Sequence, residues 1–169
     1  MSSLTGRVGG DFVGYSIDCA LDRGEMTGRF GGALIGKDLN LTLSADRLDG
    51  RFGGVVDGKD IHAQVSEQRL EGRIGGGVVG NDVVLERSGT LIQGRAGGAL
   101  VGFDLDLALE ETEGGTALRG RLGGSFDGKD VDFLLADGFP PLVAAILAAA
   151  VFYELREESS HHAGGGAPQ

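Results

Sequence analysis

Cysteine is almost absent from this chain: among 169 residues there is only Cys19, so no intramolecular disulfide holds the fold. Cys19 sits in an alternating apolar run and reads as a small core residue rather than a nucleophile, which fits a reducing compartment. Histidine is nearly as scarce, with His62 on the outward side of a strand pattern and His161 and His162 in an SSHHAGGGAPQ tail. No Ser-His-Asp, Cys-His or two-carboxylate arrangement can be assembled from these, so the chain is expected not to be an enzyme and to carry no cofactor or metal. Positive charge is in the minority: 15 Lys and Arg against 25 Asp and Glu leave a net charge of -10. That balance disfavours nucleic acid and anionic membranes for the molecule as a whole, and any anionic partner needs a local basic site. No basic, apolar leader precedes the first motif at Met1-Ser2-Ser3, so the expected location is the cytoplasm.

What is present is a repeat. Gly-Arg-apolar-Gly-Gly returns in units that begin at Leu4, Met26, Leu48, Leu70, Ile92 and Leu118, with a period of 22 residues and four extra residues in the fifth unit. One supersecondary unit is therefore used six times. In the third unit, LDGRFGGVVDGKDIHAQVSEQR, Leu48, Gly50, Phe52, Gly54, Val56 and Gly58 alternate with polar positions, and so do Ile61, Ala63 and Val65. A period of two predicts two half-buried strands per unit. Gly14-Tyr15, Gly36-Lys37, Gly58-Lys59, Gly80-Asn81, Gly102-Phe103 and Gly128-Lys129 lie between them, and Gly-X suits a two-residue hairpin loop. With Gly58-Lys59 as the loop, Asp57 faces Asp60, Val56 faces Ile61, Gly54 faces Ala63 and Phe52 faces Val65. A second two-residue link at unit junctions such as Gln68-Arg69 places Val65 opposite Gly72 and Ala63 opposite Ile74. Both links keep the apolar residues on one face, and six hairpins give about twelve antiparallel strands.

The repeats end in PPLVAAILAAAVFYELREE from Pro140, which is apolar around its whole circumference apart from Glu154. Paired prolines followed by alanines predict a helix over 140–156, surrounded by protein or by lipid. It falls short of the roughly 20 apolar residues a bilayer span needs, so no transmembrane span is expected. A twelve-stranded sheet must hide its edges, closing into a barrel does so, and a barrel of that width needs a plug. The inward glycines, beside or opposite large apolar residues, make hollows that would accept another element closely. The expected fold is thus all-β with one C-terminal helix: six hairpins closed around it, one domain over 1–157, and a flexible tail over 158–169. A parallel β-helix is the alternative, since a fixed 22-residue spacing also suits a rung and the repeats look somewhat like those of bactofilins.

In strand count, hairpin order and the placing of the apolar helix, residues 4 to about 157 resemble the tubby-like C-terminal domain shared with phospholipid scramblases and plant LURP-one-related proteins. The resemblance is one of organisation, and it implies a lipid-headgroup or membrane-associated binding module. From the residues themselves the candidate site is Arg7, Arg29, Arg51, Arg73, Arg95 and Arg121, a ring at one height on the outer wall that could take phosphates or carboxylates. The competing reading pairs each arginine with an acidic neighbour over exposed glycines. Asp38, Asp60, Asp82, Asp104 and Asp130, with Asp57 and Asp127, flank the loops and suit capping better than calcium binding. The GRhGG motif, with h an apolar residue, is no phosphate loop, because it leads into a strand and not a helix. Three roles stay open: an anionic-ligand or lipid-headgroup binder, a self-assembling structural protein, and, least favoured, a hydrolase or transferase.

Overall fold

The computed structural model describes the chain except residues 11–12, 33–35, 54–57, 76–79, 99–101, 125–127 and 165–169, and no side chain beyond Ser160. Twelve strands follow one another: β1 (Ser2–Gly9), β2 (Gly14–Asp22), β3 (Glu25–Gly31), β4 (Gly36–Ser44), β5 (Arg47–Phe52), β6 (Lys59–Val65), β7 (Arg69–Gly75), β8 (Gly80–Ser88), β9 (Leu91–Ala96), β10 (Phe103–Thr112), β11 (Gly115–Leu122) and β12 (Lys129–Leu135). Each pairs antiparallel with its neighbours in sequence, and β1 pairs with β12, with Leu4 opposite Leu135, to close the barrel. The antiparallel closure rules out the parallel β-helix. Helix α1 (Pro141–Gly164) lies in the centre and runs eight residues beyond its expected end at 156, so the segment from 158 to 164 is helical and not a free tail.

The hairpin ends differ from expectation in an instructive way. Two-residue turns occur at unit junctions such as Arg23-Gly24, where Asp22 faces Glu25 and both turn residues take positive φ, 51° and 84°. That is the type I′ geometry matched to strand twist. The Gly-X pairs are not turns: Lys59, Phe103 and Lys129 begin strands, as do Gly14, Gly36 and Gly80. Phe52 faces Lys59 instead of Val65, six residues nearer the loop, and Gly50 faces Ile61. In the third, fifth and sixth units the chain leaves the ladder at the first glycine of the GG pair, where Gly53 has φ +92° and Gly97 +85°, a conformation open to glycine at little cost. In the others that glycine is the last paired residue. Between the paired Gly9 and Gly14 four residues remain, a wider loop than Gly-X implies. Junction pairing is offset as well, by two residues, with Val65 opposite Leu70 and Ala63 opposite Gly72. Both offsets are even, so every side chain keeps its expected face. The expected partners Gly54, Val56 and Asp57 lie outside the described residues.

Inside the barrel, Leu48, Phe52, Ile61, Leu70, Ile74, Leu85, Ile92 and Phe133 are buried against α1, of which every residue from Leu142 to Tyr153 is buried. The alanines at 144, 145, 148, 149 and 150 keep that stretch of helix narrow enough to be ringed by strands on all sides. The chain enters the helix at the end with the two-residue turns, through Ala136 to Pro140, and α1 emerges at the wide-loop mouth where Glu154 meets Lys37 and Lys59.

Candidate functional site

All six arginines lie on the outer wall near the wide mouth, one on each odd-numbered strand. Five of them face an aspartate across the ladder and bond it: Arg29–Asp38 at 3.2 Å, Arg51–Asp60 at 2.9 Å, Arg73–Asp82 at 2.9 Å, Arg95–Asp104 at 2.8 Å and Arg121–Asp130 at 2.9 Å. In the first unit Ser16 takes the place of the aspartate, and Arg7 donates to its hydroxyl at 3.0 Å. A second donor reaches a loop carbonyl, as from Arg51 to Gly58 at 3.2 Å, Arg95 to Gly98 at 2.9 Å and Arg121 to Gly128 at 3.3 Å. The wall therefore carries a belt of ion pairs that also clamps the wide loops. Because it runs around the outside of a cylinder, its guanidinium groups diverge and do not converge on one ligand. Of the other flanking acids, Asp57 and Asp127 lie outside the described residues. His62 faces outward as expected, with its Nδ1 2.8 Å from Asp49. Among the described residues no group of three His, Cys, Asp or Glu side chains could hold a metal ion, and no helix is long and apolar enough to cross a membrane.

The chemistry missed by sequence reasoning lies just inside the mouth. The first inward positions of the even strands are Tyr15, Lys37, Lys59, Asn81, Phe103 and Lys129, facing Val8, Phe30, Phe52, Ile74, Ala96 and Leu122. Lys37 and Lys59 each donate to Glu154 at 2.5 Å, and Lys59 also reaches Glu157 at 2.6 Å. Glu154 is only 2% exposed, and the two lysines offset the cost of burying its carboxylate. Burial, followed by the hydrogen bond and charge of Glu158, pushes the Tyr15 hydroxyl above its usual range. Across the barrel Phe103 meets Phe152 at 4.5 Å and Tyr153 at 4.9 Å between ring centroids. The Arg156 guanidinium lies 5.9 Å from the Phe103 ring and 5.7 Å from that of Phe152. Two signals could have found this ring: a position in step with the inward leucines at which the six repeats disagree, and a lone acid in an otherwise apolar helix.

Glu154→Ala is expected to cost about 2–4 kcal/mol in urea unfolding, because it takes the carboxylate from the partly buried Lys37 ammonium and leaves Lys59 only Glu157. A loss under about 0.5 kcal/mol would show that solvent already neutralises them.

Besides Tyr15, three groups make the fold sensitive to alkali. Burial, then the charge of Asp18, pushes the Cys19 thiol from 9.0 up to about 12, and burial pushes Tyr153 from 10.0 to about 12. Both stay protonated in the fold at pH values where the unfolded chain has released the proton, so stability falls by about 1.4 kcal/mol per pH unit per group across that window. For Lys59, burial pulls the ammonium down and the hydrogen bonds to Glu154 and Glu157 outweigh it, leaving it above 10.5. Its contribution is present below that value and is lost as pH rises through the folded pKa. Urea midpoints are expected to hold steady to about pH 9 and to fall steeply above it, with Cys19→Ala delaying the onset. A midpoint unchanged between about pH 8 and pH 11 would contradict these assignments.

No protein family, curated protein or solved structure matches this chain.

Proposed function

We propose that this protein is a non-catalytic binding module for anionic ligands, a rigid barrel whose wide mouth is the binding end. One observation carries the reading: Tyr15, Lys37, Lys59, Asn81, Phe103 and Lys129 gather charged, polar and aromatic side chains at one level, on the inward face that is otherwise apolar. Recognition needs such a mixture of groups, whereas the wall arginines are spent on neighbouring aspartates and loop carbonyls. The interior is filled by α1, so a ligand meets the barrel at its surface. The lipid-headgroup role implied by the tubby-like organisation is the membrane-borne form of the same chemistry, and a protein partner presenting acidic groups is another. Self-assembly by strand addition finds no support, because closure leaves no free strand edge among the described residues. The lone buried thiol of Cys19 suits a cytoplasmic setting.

Thermal unfolding of the full chain across concentration series of phosphate, sulfate and acetate tests the reading. At least one anion is expected to raise the midpoint saturably, by the equivalent of about 2.7 kcal/mol at a hundredfold excess over Kd. Arg51→Gln is expected to cost about 1 kcal/mol or less and to leave that response intact, since an exposed pair contributes little. If no anion gives a saturable rise, the reading fails.

A further inference from the structure

Among the described residues the Tyr153 hydroxyl is the one buried side-chain polar atom with no hydrogen-bond partner, and Tyr153 as a whole is 8% exposed. Leaving such a group unmet is costly, and folded proteins rarely do so. Burial pushes its pKa up to about 12, so at neutral pH the hydroxyl keeps a proton to donate. It lies over Gly97, the residue that follows β9. A β-carbon added to Gly97 would come 3.2 Å from Tyr153 Oη and 3.3 Å from Asn81 Oδ1, so the two oxygens border one spot. They make no hydrogen bond to each other, and the Asn81 side chain makes none among the described residues. Asn81 is half-buried on β8 at the mouth, which joins the spot to solvent. The next unit shows what packing alone requires. A β-carbon on Gly123 would stand 3.1 Å from the Phe152 ring and 3.0 Å from the Gly128 α-carbon, just as one on Gly97 would stand 2.8 Å from that of Gly102. A plain phenyl ring fills this place, so packing has no use for the oxygen that Tyr153 carries.

We propose that Tyr153 and Asn81 bind the hydroxyl group of a small uncharged ligand, an alcohol or polyol, where β8 meets α1 at the mouth. The ligand hydroxyl accepts from Tyr153 Oη–H and donates to Asn81 Oδ1, so donors and acceptors match with both side chains as they stand. A carboxylate oxygen has no proton to donate and would face Asn81 Oδ1 unmatched. Phe103, whose ring centroid lies 4.9 Å from that of Tyr153, gives the carbon skeleton of such a ligand an apolar neighbour. The site goes beyond the anion reading and does not depend on it, since neither side chain carries a charge.

The test is nuclear magnetic resonance of the full chain titrated with glycerol, and with dimethoxyethane as an ether that accepts hydrogen bonds but donates none. Signals of the Asn81 side-chain amide and the Tyr153 ring are followed in wild type and in the outer-wall variant His62→Gln. The Asn81 amide reports on Tyr153→Phe, and the Tyr153 ring reports on Asn81→Ala. Saturable shifts with glycerol in wild type and His62→Gln, with affinity about tenfold or more weaker in the two site variants, are the expected result. A wild-type chain whose signals show no saturable shift with glycerol overturns the site. Glycerol binding that survives both Tyr153→Phe and Asn81→Ala overturns the assignment to these residues, and ether bound as tightly as glycerol overturns the hydroxyl preference. Should Tyr153→Phe disturb the core, Asn81→Ala, at a half-buried wall position, still decides the matter. The phosphate, sulfate and acetate series succeeds or fails separately, so the two readings are told apart.

Discussion

A chain ending at Gly138 is expected to lose its cooperative fold. Removing α1 takes away the surface that covers the inward residues of all twelve strands, leaving Leu48, Phe52, Ile61, Leu85 and Phe133 around an empty channel. Fully burying each Leu, Ile, Val or Phe is worth about 1.5–3 kcal/mol, and α1 alone supplies Leu142, Val143, Ile146, Leu147, Val151, Phe152 and Leu155 to the core. The sum, about 10–20 kcal/mol, is as large as the whole roughly 5–15 kcal/mol by which a domain is stable. The route of the chain adds a second reason. Because α1 enters at the two-residue-turn end and leaves by the mouth, the strands must close around it, and pairing of β1 with β12 completes the ring. Without the helix, near-identical hairpins have no template to choose among registers. Far-ultraviolet circular dichroism and sedimentation are expected to show a broad, non-cooperative transition and aggregation. A truncated chain that stays monomeric and melts sharply would demote the helix from core to appendage.

Gly94→Ala is expected to be the most damaging of the single-methyl additions to the wall. A β-carbon there would lie 2.0 Å from the Val84 carbonyl oxygen and 2.9 Å from the Leu85 α-carbon, distances that real side chains do not adopt. The same relation recurs in every unit, with Gly6 against Asp132 at 2.2 Å, Gly28 against Asp18 at 2.3 Å, Gly50 against Asn40 at 2.3 Å, Gly72 against His62 at 2.5 Å and Gly120 against Asp106 at 2.1 Å. What these inward glycines accept closely is therefore first the backbone of a neighbouring strand, the preceding one for five of them and β12 for Gly6. Since that obstacle is main chain and not a movable side chain, Gly94→Ala should cost about 3 kcal/mol or more. Gly98→Ala is the control: a β-carbon there meets nothing within 4 Å, and its urea midpoint should match that of the wild type. Equal midpoints for the two variants would sink the close-approach account.

The six arginines were legible as a ring because a fixed spacing puts the same residue at the same height on every other strand, and their outward face follows from parity alone. Their pairing with Asp38, Asp60, Asp82, Asp104 and Asp130 was legible as a possibility, since both members recur. The mouth was not legible in the same way. Lys37, Lys59 and Lys129 looked like loop residues because Gly-X resembles a hairpin turn, and only the earlier exit at the GG glycines makes them inward strand residues. The Lys37–Glu154–Lys59 cluster joins positions 117 and 95 residues apart, and the spot at Gly97 brings Asn81 of β8 to Tyr153 of α1.

By itself the sequence determined the twelve strands, the face each side chain takes, the closed barrel and the central helix, because alternation, repetition and an all-apolar segment are local patterns with few ways to be satisfied. The tertiary structure decided the register of the hairpins, the length of the helix and the chemistry of the mouth. Register depends on where a glycine takes positive φ, and an even slip leaves the hydrophobic pattern unchanged, so composition is blind to it. The rotation of α1, and with it which of its charges are neutralised by the wall, depends on contacts between residues far apart in the chain that come together only once the barrel has closed around the helix.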